Sequence, residues 1–291
     1  MGFLRFQIDH NAAKFRAMTD FASSKNRLML ITGASAGIGA EFARQYAELG
    51  WDLAITARRL ERLETLKAEL EERFGIHVLP IAADLAKDGA VDEILGAIKA
   101  EGRFVDGIVN NAGYGLPGTF FNTEWSDQAD FIRVLYTVPC ELVHKCAASM
   151  AQRGYGRIIN VASVAGYTPG TAGHSLYSSV KSALIKFSES VHAEAKSAGH
   201  NINCCALCPG FTWSEFHDVN GTREQTNKMP GWMWMEAEPV VRAGIKAVEK
   251  GAVVRVPGVP NKIITTLLRI LPEPLGRALT AGNSKRFRRE E

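Results

Sequence analysis

Along most of the chain, short apolar runs alternate with amphipathic stretches. The runs at 27–32, 52–56, 77–84, 105–113, 156–163, 201–210 and 252–258 predict strands, each too short for a core helix and bounded by Gly, Pro, Asp or Asn. Between them, 39–50, 59–75, 88–100, 124–152, 175–198 and 238–250 predict helices. In 59–75, for example, Leu60, Leu63, Leu66 and Leu70 share one face. Strands that alternate with helices make a βαβ series, and such a series builds a parallel sheet covered on both faces. The expected architecture is therefore one doubly wound α/β domain with a seven-stranded parallel sheet over 27–258. An extension, 1–26, precedes it; a C-terminal helix and a basic tail, 259–291, follow.

Composition narrows the class by exclusion. The 291 residues are 46% hydrophobic and 22% charged, with a formal net charge of +3, an ordinary globular balance. The basic cluster in 284–291 is short and mixed with acids, so no nucleic-acid partner is expected. No apolar stretch reaches the roughly 20 residues a spanning helix needs, and stable membrane insertion is not expected. Five cysteines are too few for a disulfide framework, and the CxxC spacing of Cys205 and Cys208 lacks a second pair or suitable histidines. They read as buried, reduced thiols of a cytoplasmic protein, with no metal site.

The glycines carry chemistry. "TGASAGIG" (32–39) follows the first strand and opens the first helix. Gly33, Gly37 and Gly39 there permit a tight turn that brings a pyrophosphate onto backbone N–H groups at a helix N-terminus. This is the phosphate turn of a Rossmann-type fold. At the end of the second strand stand Thr56, Ala57, Arg58 and Arg59, without the acid that would hold ribose hydroxyls. Arg58, with Ser35 from the glycine loop, suits a ribose 2′-phosphate instead, so NADP(H) is expected in preference to NAD(H). Asp84 closes the third strand and is placed for an adenine amino group; Asn110 and the backbone through Gly113 close the fourth, beside the ribose.

Further on, Ser163 ends the fifth strand, and "YSSVK" sets Tyr177 one helical turn before Lys181. A carbonyl that accepts hydride needs an acid at its oxygen, and a phenol of ordinary pKa is a slow one near neutrality. An ammonium one turn away, with a positive nicotinamide in the oxidised state, would stabilise the phenolate and lower that pKa, and a serine hydroxyl can orient the carbonyl. In this order, TGASAGIG, Asp84, NNAG (110–113), Ser163, YSSVK and CPG (208–210) resemble the short-chain dehydrogenase/reductase family over about 27–258. The resemblance implies an oxidoreductase exchanging hydride between NADP(H) and a ketone or aldehyde. In it Tyr177 is the general acid/base, Ser163 positions the carbonyl, and Lys181 tunes Tyr177 and binds ribose. It also implies cofactor contacts at Ile38, Leu85, Ala112, Pro209 and Gly210, and a homodimer or homotetramer paired through the helices at 124–152 and 175–198.

One position departs from the family. Members commonly carry a relay asparagine in the helix after NNAG, and here Leu135 matches that position. A leucine cannot bond a relay water, so a backbone carbonyl, Tyr136 or Thr137 would have to serve. The alternative is a nucleotide-binding regulatory protein with weak or no turnover. After CPG, residues 211–237 form an expected lid rich in aromatic and methionine side chains, which favours a small apolar carbonyl or alcohol substrate. Tyr114, Tyr167, Trp213 and Phe216 are the candidate substrate contacts.

Overall fold

The computed structural model describes residues 27–116, 118–170, 175–215, 230–272 and 274–275. Its centre is one sheet of seven parallel strands: β1 (Leu28–Thr32), β2 (Asp52–Ala57), β3 (Val78–Ala82), β4 (Gly107–Asn110), β5 (Gly156–Val161), β6 (Ile202–Leu207) and β7 (Val254–Arg255), in the order 3-2-1-4-5-6-7. β1 and β6 are buried throughout, as parallel strands covered on both faces must be. Side-chain alternation sends Leu28 and Leu30 into one core and Met29 and Ile31 into the other.

The Met29/Ile31 side is covered by α1 (Gly37–Glu48), α2 (Leu60–Phe74) and α7 (Ala237–Glu249), through Phe42, Tyr46, Leu63, Leu70, Val241 and Ile245. The Leu28/Leu30 side is covered by α3 (Ala90–Ala100), α4 (Trp125–Ile132), α5 (Val138–Gln152) and α6 (Ser175–Ser197). Strand order reverses between β1 and β4, and the crevice outside that point is where this topology places a ligand.

Two elements differ most from the sequence expectation, the helix at 124–152 and the last strand. The predicted helix 124–152 is interrupted: α4 ends at Ile132, Arg133–Thr137 form one π-helical stretch, and α5 resumes at Val138. The physical reason is Pro139, which has no N–H for the carbonyl four residues earlier, that of Leu135, and whose ring crowds it. A wider turn relieves the clash, and Val138 N–H reaches back five residues to Arg133 O. The last strand shrinks from 252–258 to Val254–Arg255. The C-terminal helix, α8 (Val259–Ile270), ends ahead of Pro272. The extension 1–26, residues 276–291 and lid residues 216–229 lie outside the described residues.

Candidate active site

A cavity of about 710 Å³ opens along the carboxyl ends of β1 to β6 and holds the glycine turn at one end and Ser163, Tyr177 and Lys181 at the other. Gly33 and Gly37 have φ of +68° and +55°, which other residues adopt only with strain. A Cβ on Gly33 would meet Ala112 Cα at 2.8 Å, so the turn packs directly on the end of β4. Thr32 Oγ1 accepts from the N–H groups of Asn111 and Ala112, both at 3.0 Å, while Asn111 Nδ2 donates to the carbonyls of Thr32 and Gly33 at 3.0 and 3.2 Å. At the start of α1 the cap position, Ala36, supplies no side-chain hydrogen bond, and the first turn carries no acidic residue. Those N–H groups and the helix dipole are left for an anion, and a dinucleotide pyrophosphate fits that cradle.

The sequence candidates divide at this end. Gly33, Ser35, Gly37, Ile38, Arg58, Asp84, Leu85, Ala112, Gly113, Pro209 and Gly210 all line the cavity. Gly39 does not: a Cβ there would sit 2.2 Å from Gly33 O, so its smallness serves the approach of α1 to the turn. Asn110 also turns away. It is 3% exposed and donates to Asn160 Oδ1 at 2.8 Å and weakly to Pro139 O at 3.5 Å, inside the core. Its neighbour Asn111, which the sequence did not single out, faces the cavity and braces the glycine turn. Arg59 rather than Arg58 bonds Ser35, donating to its hydroxyl at 3.2 Å, and Arg58 stands exposed at the cavity wall.

At the chemical end, Ser163 closes the turn after β5. Its Oγ accepts from Ala165 N–H at 3.1 Å, which orients the hydroxyl, and it bonds the Tyr177 hydroxyl. Lys181 Nζ donates to Val161 O at 2.7 Å and lies 5.7 Å from the Tyr177 ring centroid. Burial pulls the Lys181 ammonium down to about 8. Burial raises the Tyr177 phenol above its ordinary range, and the opposing influence is the Ser163 hydrogen bond. In the chain by itself the Lys181 ammonium is anchored on the strand, and the Ser163 hydrogen bond is the influence that favours the phenolate.

Leu135 is 1% exposed and belongs to the core beneath the site, its Cγ 3.5 Å from where a Cβ on Gly113 would stand. The proposed stand-ins on neighbouring positions point elsewhere. Thr137 is exposed, and the Tyr136 hydroxyl bonds the Cys140 thiol.

On the substrate side, Tyr114 lines the cavity, edge-on to Phe131, which in turn leans on Tyr177 with ring centres 6.5 Å apart. Burial first, then nearby acids, push the Tyr114 phenol up to about 12. Tyr167 is not in the cavity wall; its hydroxyl accepts from Arg269 on α8 at 3.0 Å. Trp213 stacks on Trp234 with centroids 4.0 Å apart, and among the described residues of that segment Phe211 is the aromatic side chain that reaches the cavity. The two described ends of the 211–237 segment pair with each other, Trp213 N–H to Met235 O and Met235 N–H to Phe211 O, both at 3.0 Å. Phe216 lies outside the described residues. Residues missed from the sequence are Asn111, Ser214 and Glu215, of which only Asn111 had a signal, the asparagine pair in NNAG; Phe211 belongs to the aromatic segment after CPG but was not among the candidate contacts.

Among the described residues, no cluster of three or more His, Cys, Asp or Glu is arranged for a metal, and no helix is long and apolar enough to cross a membrane. Cys204, Cys205 and Cys208 are buried, unpaired thiols.

Comparison with known proteins agrees with this geometry. The family model described as short chain dehydrogenase matches residues 27–225. An uncharacterized oxidoreductase of Myxococcus xanthus is 31% identical over 255 residues, covering 87% of this chain and 96% of the relative. Among solved structures, a short-chain dehydrogenase from Sphingobium yanoikuyae in complex with NADPH superposes with a TM-score of 0.73 at 27% identity, over 84% of this chain and 96% of that one. A bulky-bulky ketone specific alcohol dehydrogenase from Comamonas testosteroni gives 0.68 at 25% identity, over 85% and 95%.

Proposed function

The chain belongs to the short-chain dehydrogenase family, and from that premise we propose that it is an NADPH-dependent reductase of apolar ketones or aldehydes, acting reversibly on the corresponding alcohols. One observation carries the reading: the Ser163–Tyr177 hydrogen bond, with Lys181 buried beside it, lies in the same cavity as an uncapped, glycine-lined helix N-terminus.

The residues divide the work. When bound, NADPH supplies the hydride. Tyr177, held protonated by burial, stands ready to give its proton to the carbonyl oxygen, while Ser163 donates to that oxygen and fixes its position. Lys181, charged near neutrality, stabilises the phenolate left behind and offers donors to the nicotinamide ribose. Asn111 keeps the glycine turn in register with β4, so that α1 presents its N–H groups to the pyrophosphate. Arg58, Arg59 and Ser35, at a β2 end with no acid, receive the 2′-phosphate.

For the substrate, Tyr114, backed by the buried Phe131, and Phe211 give the cavity an apolar, aromatic wall. The ketone named for the Comamonas testosteroni relative supports a bulky carbonyl compound here too. Reprotonation of Tyr177 passes through Lys181 and backbone carbonyls, because Leu135 has no polar side chain. Pro139 cannot bond the Leu135 carbonyl, which makes that carbonyl the candidate polar group at the relay position. Five unpaired cysteines suit a cytoplasmic protein, and α4 to α6 are the faces for a homodimer or homotetramer.

The burial of Leu135 favours the second reading, a nucleotide-binding regulatory protein with little turnover. NADPH oxidation assayed against a panel of ketones separates the two.

A further inference from the structure

The adenosine end of the cavity already holds an anion, and it comes from the chain itself. Glu215, five residues beyond Gly210, sends its carboxylate across the cleft to the start of α2. Arg62 Nη1 donates to Glu215 Oε1 and Oε2 at 2.7 and 2.8 Å. Arg59 Nη2 donates to Glu215 Oε2 at 3.2 Å, and the same nitrogen donates to Ser35 Oγ at 3.2 Å. Arg59, Ser35 and Glu215 all line the cavity. Next to Glu215, Ser214 packs against the glycine turn, with its Cβ 2.8 Å from where a Cβ on Gly37 would be. One carboxylate thus ties Arg59, the guanidinium that bonds the glycine-loop serine, to Arg62 on the first turn of α2.

Two further facts bear on what this carboxylate does. All three charged side chains are two-fifths exposed, so their pairing contributes little to folding stability. Their hydrogen bonds nonetheless hold Glu215 ionised below the usual carboxylate range. A carboxylate of low structural worth, kept charged on a cation of the cleft wall, acts chiefly on whatever anion enters that cleft. A phosphate dianion brings more charge and more acceptor oxygens than a carboxylate, and the guanidinium fork suits it at least as well.

We propose that Glu215 is a specificity-determining residue: a built-in counter-ion, braced by Arg62, that a ribose 2′-phosphate must displace from Arg59 in order to bind. It sets a floor against weak anions and weakens the affinity that the bare arginines would give. This deepens the NADPH reading above and rests on it.

The test is calorimetric titration of the full chain with 2′,5′-ADP, with ADP, which lacks the 2′-phosphate, and with inorganic phosphate. For Glu215→Gln, affinity for 2′,5′-ADP is expected to rise about 3- to 10-fold, the scale of removing one like charge at a partly screened surface site. Affinity for ADP should stay unchanged, and Glu215→Asp should stay near wild type. Inorganic phosphate binding that rises as much as 2′,5′-ADP binding would show an unspecific anion site and overturn the assignment. So would a Glu215→Gln variant that binds 2′,5′-ADP more weakly or equally, since the carboxylate would then be positioning the arginines or doing nothing. If the wild type itself binds ADP and 2′,5′-ADP alike, the failure lies in the NADPH reading. Thermal melts of the variants monitor the fold throughout.

Discussion

Lys181 donates a hydrogen bond from its ammonium to the Val161 carbonyl at 2.7 Å, which anchors its charge at the end of β5, 5.7 Å from the Tyr177 ring centroid. This anchor, together with burial, sets how the site responds to pH. Lys181 titrates at about 8 in the folded chain, against an ordinary 10.5, and Tyr177 is raised above its own ordinary value. Below pH 8 the lysine is charged and the tyrosine protonated, which is the state reduction needs.

The value of kcat/KM for carbonyl reduction is therefore expected to fall as pH rises through about 8, along a one-proton limb, because this parameter reports groups of the free enzyme. Stability carries the opposite sign. Between 8 and 10.5 the unfolded chain holds the Lys181 proton and the folded chain does not, so this group makes the protein more stable as pH rises across that window. A pH–rate profile beside melts of wild type and Lys181→Met checks both signs. In the variant the melts should lose that stabilising rise.

Arg58 and Arg59 make a second prediction. Arg58→Ala and Arg59→Ala should each weaken NADPH binding about 10- to 100-fold, as loss of a charge-assisted phosphate contact implies, and leave NADH binding nearly unchanged. Fluorescence titration with both cofactors measures the ratio. Two variants that keep the wild-type ratio would remove the argument for NADPH.

Leu135 gives a third. Leu135→Asn puts an amide into a site that is 1% exposed, at a cost of about 1–3 kcal/mol and a lowered melting temperature. If reprotonation passes through Lys181 and the backbone, kcat should change by less than about 3-fold, under 1 kcal/mol of barrier. A rise of about 10-fold or more would show that the wild type is limited at this position and would favour the regulatory reading.

How far the site was visible in the sequence follows from what each residue depends on. The strands, the parallel sheet and the glycine turn were legible because local pattern dictates them: apolar runs, amphipathic helices and positive-φ glycines at strand ends. The π-helical stretch at Arg133–Thr137 was missed because Pro139 lies inside an otherwise helical pattern, and its effect falls four residues upstream. Asn110 and Asn111 were exchanged because adjacent residues at a strand end face opposite ways, and only the register of β4 on β1 decides which one meets the cavity. The Glu215 pairing joins residues about 150 apart in sequence, a distance no local pattern spans. That Lys181 Nζ bonds the Val161 carbonyl was not legible either, because helical spacing gives its proximity to Tyr177 and says nothing of where Nζ finds its hydrogen bond.

The account stands on Tyr177 as the proton donor to a carbonyl reduced by NADPH. The most direct test follows NADPH oxidation at 340 nm against a panel of bulky apolar ketones, with wild type and Tyr177→Phe, alongside NADPH binding to each. At least one ketone should support turnover by the wild type. In Tyr177→Phe that turnover should drop about 10²- to 10⁴-fold, with NADPH affinity kept within a few fold. NADPH binding without any ketone-dependent oxidation, or equal turnover by the two proteins, would contradict it.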